Sequence, residues 1–181
     1  MIVTYIRSSS YNNYDYCQQQ YYINYVLGHP SLSGKKAEMG TIVHKVMECL
    51  ARSKYAVQNK KKSFTDESLG RIRLTKDIML SENFVNKLTE KSIKFYTDRS
   101  SHSFTRGDLS NCSKWVWLAL EYNNGQFDPR KRKIVAAEPH FDIEIKEPWA
   151  EYSYELPNGD KISGNLAIKG TIDLVTESSK D

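Results

Sequence analysis

The spacing of apolar residues along this chain changes once, at Lys133, and that change constrains the fold more than any other feature. Before it, apolar side chains recur every three or four residues, the period of a helix with one buried face. Ile42, Val43, Val46, Met47 and Leu50 mark such a face on a helix that follows the turn Gly40-Thr41 and runs towards Tyr55. Phe84, Leu88, Lys91 and Phe95 repeat at helical spacing from about Glu82 to Tyr96, and Leu109, Cys112, Val116, Ala119 and Leu120 do so up to Asn123-Asn124-Gly125. A first, tyrosine-rich helix is expected after Ser8, Ser9 and Ser10, carrying Tyr14, Cys17, Tyr21 and Tyr25 and stopping at Leu27-Gly28-His29-Pro30. After Lys133 the pattern turns to strands: Ile134 to Ala137 continuing through Phe141, Ile143 and Ile145, then alternating Tyr152, Tyr154 and Leu156. Pro157-Asn158-Gly159-Asp160 signals a hairpin turn, and the return strand runs from Lys161 through Ile168. Four helices are thus expected before any strand, helical over 1–132 and β-rich over 133–181.

A length of 181 residues suits one domain with a single core. The net charge of +4 favours a nucleic-acid partner only weakly. Cys17, Cys49 and Cys112 are odd in number and far apart, which argues against a disulfide framework or a local metal knuckle. The N-terminus has no apolar run of signal-peptide type, and no stretch reaches the roughly 20 apolar residues of a membrane span. The expectation is a soluble chain of the cytoplasm, or of the host cytoplasm if the Lys- and Asn-rich composition reflects a viral source. Lys60-Lys61-Lys62, between Gln58 and Leu69, reads as a solvated loop or helix end.

Three strings can carry chemistry. His44, early in the second helix, is either a satisfied, partly buried side chain among Val43, Val46 and Met47 or a metal ligand. Asp173 interrupts the apolar string Ile172-Asp173-Leu174-Val175; facing inward it needs a cation or a hydrogen-bonding partner, whereas on the solvent face of an edge strand it needs neither. Glu138, in Ala137-Glu138-Pro139-His140-Phe141, poses the same question. One imidazole with one or two carboxylates suits a hard divalent ion such as Mg2+ or Mn2+, with phosphate and water completing its shell, and that set points to phosphodiester hydrolysis.

The order of these strings resembles the RecB-like exonuclease branch of the PD-(D/E)XK nuclease superfamily, which includes phage exonucleases and the nucleases of CRISPR adaptation. The family layout has a Ser, then an aromatic helix with Cys and Tyr (Ser10 to Tyr25, with Cys17 and Tyr21 or Tyr22). A G-T-x-x-H helix follows (Gly40, Thr41, His44), then a strand with Glu and an aromatic (Glu138, Phe141), then G-x-I-D (Gly170, Ile172, Asp173). The resemblance implies a restriction-endonuclease-like α+β or α/β fold, N-terminal helices followed by a mixed sheet. It implies a Mg2+- or Mn2+-dependent deoxyribonuclease with His44 and Asp173 as metal ligands and Glu138 as a supporting acidic residue of the catalytic site.

The family also has a D/E-x-K strand that should follow Asp173, and the string Leu174 to Asp181 does not match it. The expectation is therefore a C-terminally incomplete single domain, weak or inactive by itself, whose missing segment or a protein partner completes the site. Some members hold an iron–sulfur cluster. Cys17 takes the first ligand position, Gln18 stands where the family has Pro, and the other three cysteines would lie beyond Asp181, so the cluster is implied only for a longer chain. Cys17 is otherwise a core thiol. DNA is the implied partner. Lys35, Lys36, Arg130, Lys131, Arg132 and Lys133 are candidate phosphate contacts, and Trp115, Trp117, Trp149 and the tyrosines could stack on unpaired bases or sit in the core. The competing expectation is a non-catalytic DNA- or partner-binding module that keeps the nuclease fold.

Overall fold

Ile42, Val46, Cys49 and Leu50 lie one helical turn apart and are all completely buried, so the helix that carries them runs through the core. This is α3 (Lys35–Gln58) of a computed structural model that describes residues 4–29 and 34–177. The chain folds as two compact units, one of 1–32 and 139–172, the other of 33–138 and 173–181.

In the second unit, α3 packs against α5 (Glu82–Thr97) and α6 (Arg106–Gly125). Ser81 caps α5, its hydroxyl accepting the Phe84 N–H at 3.2 Å. Thr105 and Asp108 form a reciprocal capping box at the start of α6, with N–H to side-chain oxygen distances of 2.8 and 3.2 Å. Val46, Leu50, Val85, Leu88, Val116 and Leu120 interlock as the core. A hairpin of β2 (Ser63–Asp66) and β3 (Gly70–Arg73) and the short α4 (Lys76–Leu80) close over it through Ile72, Leu74 and Met79. At the far end of α3, the Gln58 amide bonds both backbone groups of Ile134 at 2.9 Å. That double bond docks β4 (Ile134–Ala137), which pairs antiparallel with β9 (Leu174–Thr176) across a register shift at Val135.

In the first unit, β1 (Tyr5–Ile6) runs parallel to β8 (Ala167–Thr171), and β5 (His140–Glu144) pairs antiparallel with the other side of β8. β6 (Glu151–Glu155) and β7 (Lys161–Asn165) form the hairpin expected at Pro157 to Asp160. Two helices, α1 (Ser8–Tyr16) and α2 (Gln18–Tyr21), and a π-turn over Tyr22–Val26 bring Tyr14 edge-on to Tyr21, which stacks on Tyr25. Phe141 lies opposite Gly170, and a Cβ on Gly170 would come within 2.7 Å of its ring. The glycine and the aromatic of two separate strings are thus the two halves of one packing contact.

Several expectations need correction. Strands precede the β-rich half: β1, β2 and β3 all lie before Lys133, and the segment expected to be a solvated loop supplies β2. Local pattern misses β1 because its two residues pair with a strand about 160 positions away, and it misses the β2–β3 hairpin because four-residue strands rich in charged and polar residues show no apolar alternation. Gly40 and Thr41 lie inside α3 instead of in a turn before it. The first helix is interrupted at Cys17, whose backbone is extended, and its N-cap is Arg7, with Ser8 to Ser10 in its first turn. The run from Ile134 to Ile145 is two strands separated by Glu138 and Pro139, and the run from Lys161 to Ile168 is broken at Leu166. Pro30 to Ser33 lie outside the described residues.

Candidate metal centre

His44 projects from the third turn of α3, with its side chain about half exposed. Its Nε2 stands 3.0 Å from Oδ1 of Asp173 and its Nδ1 3.5 Å from Oε1 of Glu138. All three residues belong to the second unit. The two carboxylates arrive together because Glu138 follows β4 and Asp173 precedes β9, at the same end of that pair. The Glu138 N–H donates to the Asp173 carbonyl at 3.2 Å, extending the ladder to the site residues.

Glu138 has a left-handed backbone, with φ of 51°. Such a conformation costs a non-glycine residue on the order of 1–3 kcal/mol and persists only where its surroundings enforce it. Here the ladder, Pro139 and the approach to His44 enforce it, and the result aims the carboxylate at the imidazole. Asp173 lies in the bend between β8 and β9 with a largely exposed side chain, which corrects the expectation of a carboxylate inside an apolar strand.

The spacing of the donors tests whether a cation fits. Two adjacent ligands of an octahedral ion bound at roughly 2.1 Å are about 3.0 Å apart, which is the separation of His44 Nε2 and Asp173 Oδ1. That pair fits a hard divalent ion as two of its ligands. Among the described residues no group of three His, Cys, Asp or Glu converges to hold an ion, so water and substrate oxygens would fill the remaining positions.

Behind the imidazole lies a closed ring of charge that sequence reading missed. Lys45 Nζ donates to Glu48 at 2.7 Å and contacts Asp66 at 2.9 Å, while Arg52 contacts the same two carboxylates at 3.0 and 2.8 Å. Asp66 is buried and also accepts the N–H groups of Ser68 and Leu69, which turns the β2–β3 hairpin. Burial disfavours the Lys45 ammonium, but the hydrogen bonds to Glu48 and Asp66 outweigh it and hold its pKa above the ordinary lysine value. Burial likewise raises Asp66, and Lys45 with the two N–H groups more than reverses this, so its carboxyl sits below the usual range. Buried beside these carboxylates, the Cys49 thiol is pushed up to about 12. The signal for the ring was charge at positions 45, 48 and 52, spaced by three and four along a mostly apolar helix.

Two cavities flank His44. The larger, about 570 Å³, is lined by Gly40, Thr41, Lys45 and Tyr96; the smaller, about 240 Å³, by Met47, Ala51, Phe127 and Leu174; His44, Glu48 and Glu138 border both. Burial pushes the Tyr96 phenol up, which leaves it a protonated donor at the larger cavity.

Other candidates are placed differently. Lys35 is bonded to Asp108 at 2.8 Å, and that contact, with the Thr105 groups, lowers the Asp108 carboxyl to about 2. Lys36 and Lys131 are exposed. Arg132 donates to the Gln126 carbonyl, Arg130 is buried against Asp128, and Lys133 pairs with Glu177. Cys17 is half-buried in the first unit. Glu144-Ile145-Lys146 spells D/E-x-K at the end of β5, also in the first unit and ahead of Asp173 in chain order. Among the described residues no helix is long and apolar enough to cross a membrane.

The family model of the PD-(D/E)XK nuclease superfamily matches residues 8–181, nearly the whole chain. No curated protein and no solved structure matches. The chain belongs to the PD-(D/E)XK nuclease superfamily, and its mixed α/β elements agree with the restriction-endonuclease-like fold class.

Proposed function

We propose that this nuclease-superfamily chain is the core of a divalent-metal-dependent DNA exonuclease of the RecB-like branch, with both units forming one catalytic domain. The observation that carries the reading is the 3.0 Å approach of His44 Nε2 to Asp173 Oδ1, with Glu138 on the other side of the imidazole. The RecB-like assignment rests on the order of the Cys17, His44, Glu138 and Asp173 strings.

His44 Nε2 and Asp173 Oδ1 would hold Mg2+ or Mn2+, which supplies Lewis acidity to the attacking water and the phosphoryl oxygens. The Glu138 carboxylate faces Nδ1 and so fixes the ring orientation that leaves Nε2 directed at Asp173. The larger cavity beside His44 has room for the phosphodiester, with the Tyr96 hydroxyl as a donor. Lys45, the lysine that lines it, is committed to Glu48 and Asp66 and is a poor candidate to activate water. If no other lysine reaches the site, cleavage should be slow.

Titration of the protein with Mn2+ in a calorimeter tests the site. Binding by the wild type that is lost in His44→Ala and in Asp173→Ala supports it. Unaltered binding in both variants overturns the assignment. Degradation of linear but not covalently closed DNA, abolished by EDTA, supports the exonuclease reading. DNA binding with neither metal binding nor cleavage would favour a non-catalytic binding module.

A further inference from the structure

We propose that the outward face of α6 pairs with the same face of a second copy of this chain, in an antiparallel two-fold dimer.

A helix on the surface of a folded chain needs one apolar stripe, the one it buries, and carries polar side chains opposite. α6 has two. Cys112, Val116 and Leu120 recur one turn apart and are buried on the side that packs against α3 and α5. Trp115, Leu118 and Tyr122, spaced by three and four on the other side, are 36%, 64% and 63% exposed. The helix is regular up to Tyr122, whose ψ of 132° ends it, and the ring of Phe127, 54% exposed and 5.6 Å from that of Tyr122, prolongs the stripe. Aromatic side chains of roughly 150–250 Å² each, exposed to this degree, leave together with Leu118 an apolar patch of about 400 Å². Patches of that size on a folded chain mark interaction surfaces.

Charge selects the occupant. Lys114 and Glu121 flank Leu118 on one side; they are two helical turns, about 10.5 Å, apart. Both are exposed, and among the described residues neither has an ion-pair partner. Trp115 and Tyr122 flank Leu118 on the other side with the same spacing. A two-fold axis perpendicular to the helix at the level of Leu118 reverses the second copy. Lys114 of each chain then meets Glu121 of the other, and Trp115 meets Tyr122, each to within one residue's rise of about 1.5 Å. Leu118 meets its own equivalent at the axis. A parallel pair would instead lay both charges on the aromatic edge. Single-stranded DNA stacked on the aromatics would run its phosphates past Glu121. The pattern complements itself, which favours a second copy over an unrelated protein. The apolar area is small for a specific interface, so the dimer should be weak and dissociate at micromolar concentrations. Trp115, Leu118, Tyr122, Lys114 and Glu121 border neither cavity beside His44, so the dimer is independent of the metal site.

Sedimentation equilibrium of the whole chain across micromolar concentrations should show monomer and dimer in exchange. Leu118→Glu should weaken the dimer at least about tenfold and, because Leu118 already faces water in the monomer, leave the urea unfolding midpoint unchanged. Lys114→Glu and Glu121→Lys should each weaken it, since both charge contacts of the symmetric pair become repulsive. Mixed in equal amounts, these two variants should recover a dimer, because the mixed pair sets opposite charges at both contacts. A wild type that stays monomeric throughout, or a dimer that Leu118→Glu leaves intact, overturns the proposal. Absence of recovery in the mixture overturns the antiparallel pairing. If Leu118→Glu and Trp115→Ala leave the mass unchanged but weaken binding of a single-stranded oligonucleotide, the face belongs to DNA and the dimer is excluded.

Discussion

The two units of this chain solve different problems. In the second, α3, α5 and α6 bury Ile42, Val46, Leu50, Val85, Val116 and Leu120 almost completely, and the Lys45–Glu48–Arg52–Asp66 ring is sealed against that core. In the first, the buried residues among those described are Ala150 and Ala167, while Ile143, Ile168 and Trp149 remain exposed although they lie on or beside strands. Hydrophobic stabilisation scales with the apolar area removed from water, so the second unit carries more of the fold's stability. It also carries the strained Glu138 and the His44 cluster. A site that must hold an imidazole and two carboxylates in register needs rigid supports, and the better-packed unit provides them.

The comparison is tested hardest at Asp66. Asp66→Ala removes the buried carboxylate shared by Lys45, the partly exposed Arg52 and the Ser68 and Leu69 N–H groups, and we expect about 3–5 kcal/mol of lost stability in urea unfolding. Leu50→Ala should cost about 2–5 kcal/mol, whereas Ile143→Ala should stay within about 0.5 kcal/mol. Equal losses at Leu50 and Ile143 would break the contrast between the units.

Gly170→Ala probes the Gly170–Phe141 contact of the first unit. The added methyl meets the Phe141 ring, and a loss of about 1–3 kcal/mol is expected. Phe141→Leu combined with Gly170→Ala should recover part of it, and no recovery would mean that the glycine serves something other than this ring.

Smaller still are the effects of pH. The Asp66 and Asp108 carboxyls are held below their ordinary value of 3.8, Asp108 at about 2. Folding therefore gains from both above about pH 4 and loses that gain as pH falls through the lowered values. Lys45 acts in the opposite sense: its contribution is complete below its ordinary value of 10.5 and fades only above it. Stability measured from pH 7 down to 2 should fall mainly below pH 4, and Asp66→Asn should flatten that fall more than Asp160→Asn, a change in the first unit.

Thiol labelling gives the finest contrast. Cys49 and Cys112 are fully buried with raised thiol pKa values, whereas Cys17 is half-exposed. Under native conditions Cys17 should react first with an aromatic disulfide, and simultaneous reaction of all three would show that the second unit opens as readily as the first.

The long helices, the hairpin at Asn158-Gly159 and the identity of His44, Glu138 and Asp173 as candidates were all legible in the chain. Periodicity and turn chemistry are local, and a run such as Phe84, Leu88, Phe95 reports its buried face without knowing the partner. What the ordered strings could not say was how these residues meet. The short strand β1 is defined by distant pairing, the charged ring joins α3 to a hairpin whose sequence has the character of a loop, and Glu138 faces His44 through a backbone conformation that no propensity predicts. Asp173 looked like a carboxylate inside a strand; the bend between β8 and β9 makes it an exposed partner of the imidazole. Local sequence determined which segments could form and which side chains could react. Tertiary packing decided their distances, because a 3.0 Å approach between residues from opposite ends of the chain depends on every contact that docks β4 and β9 against α3.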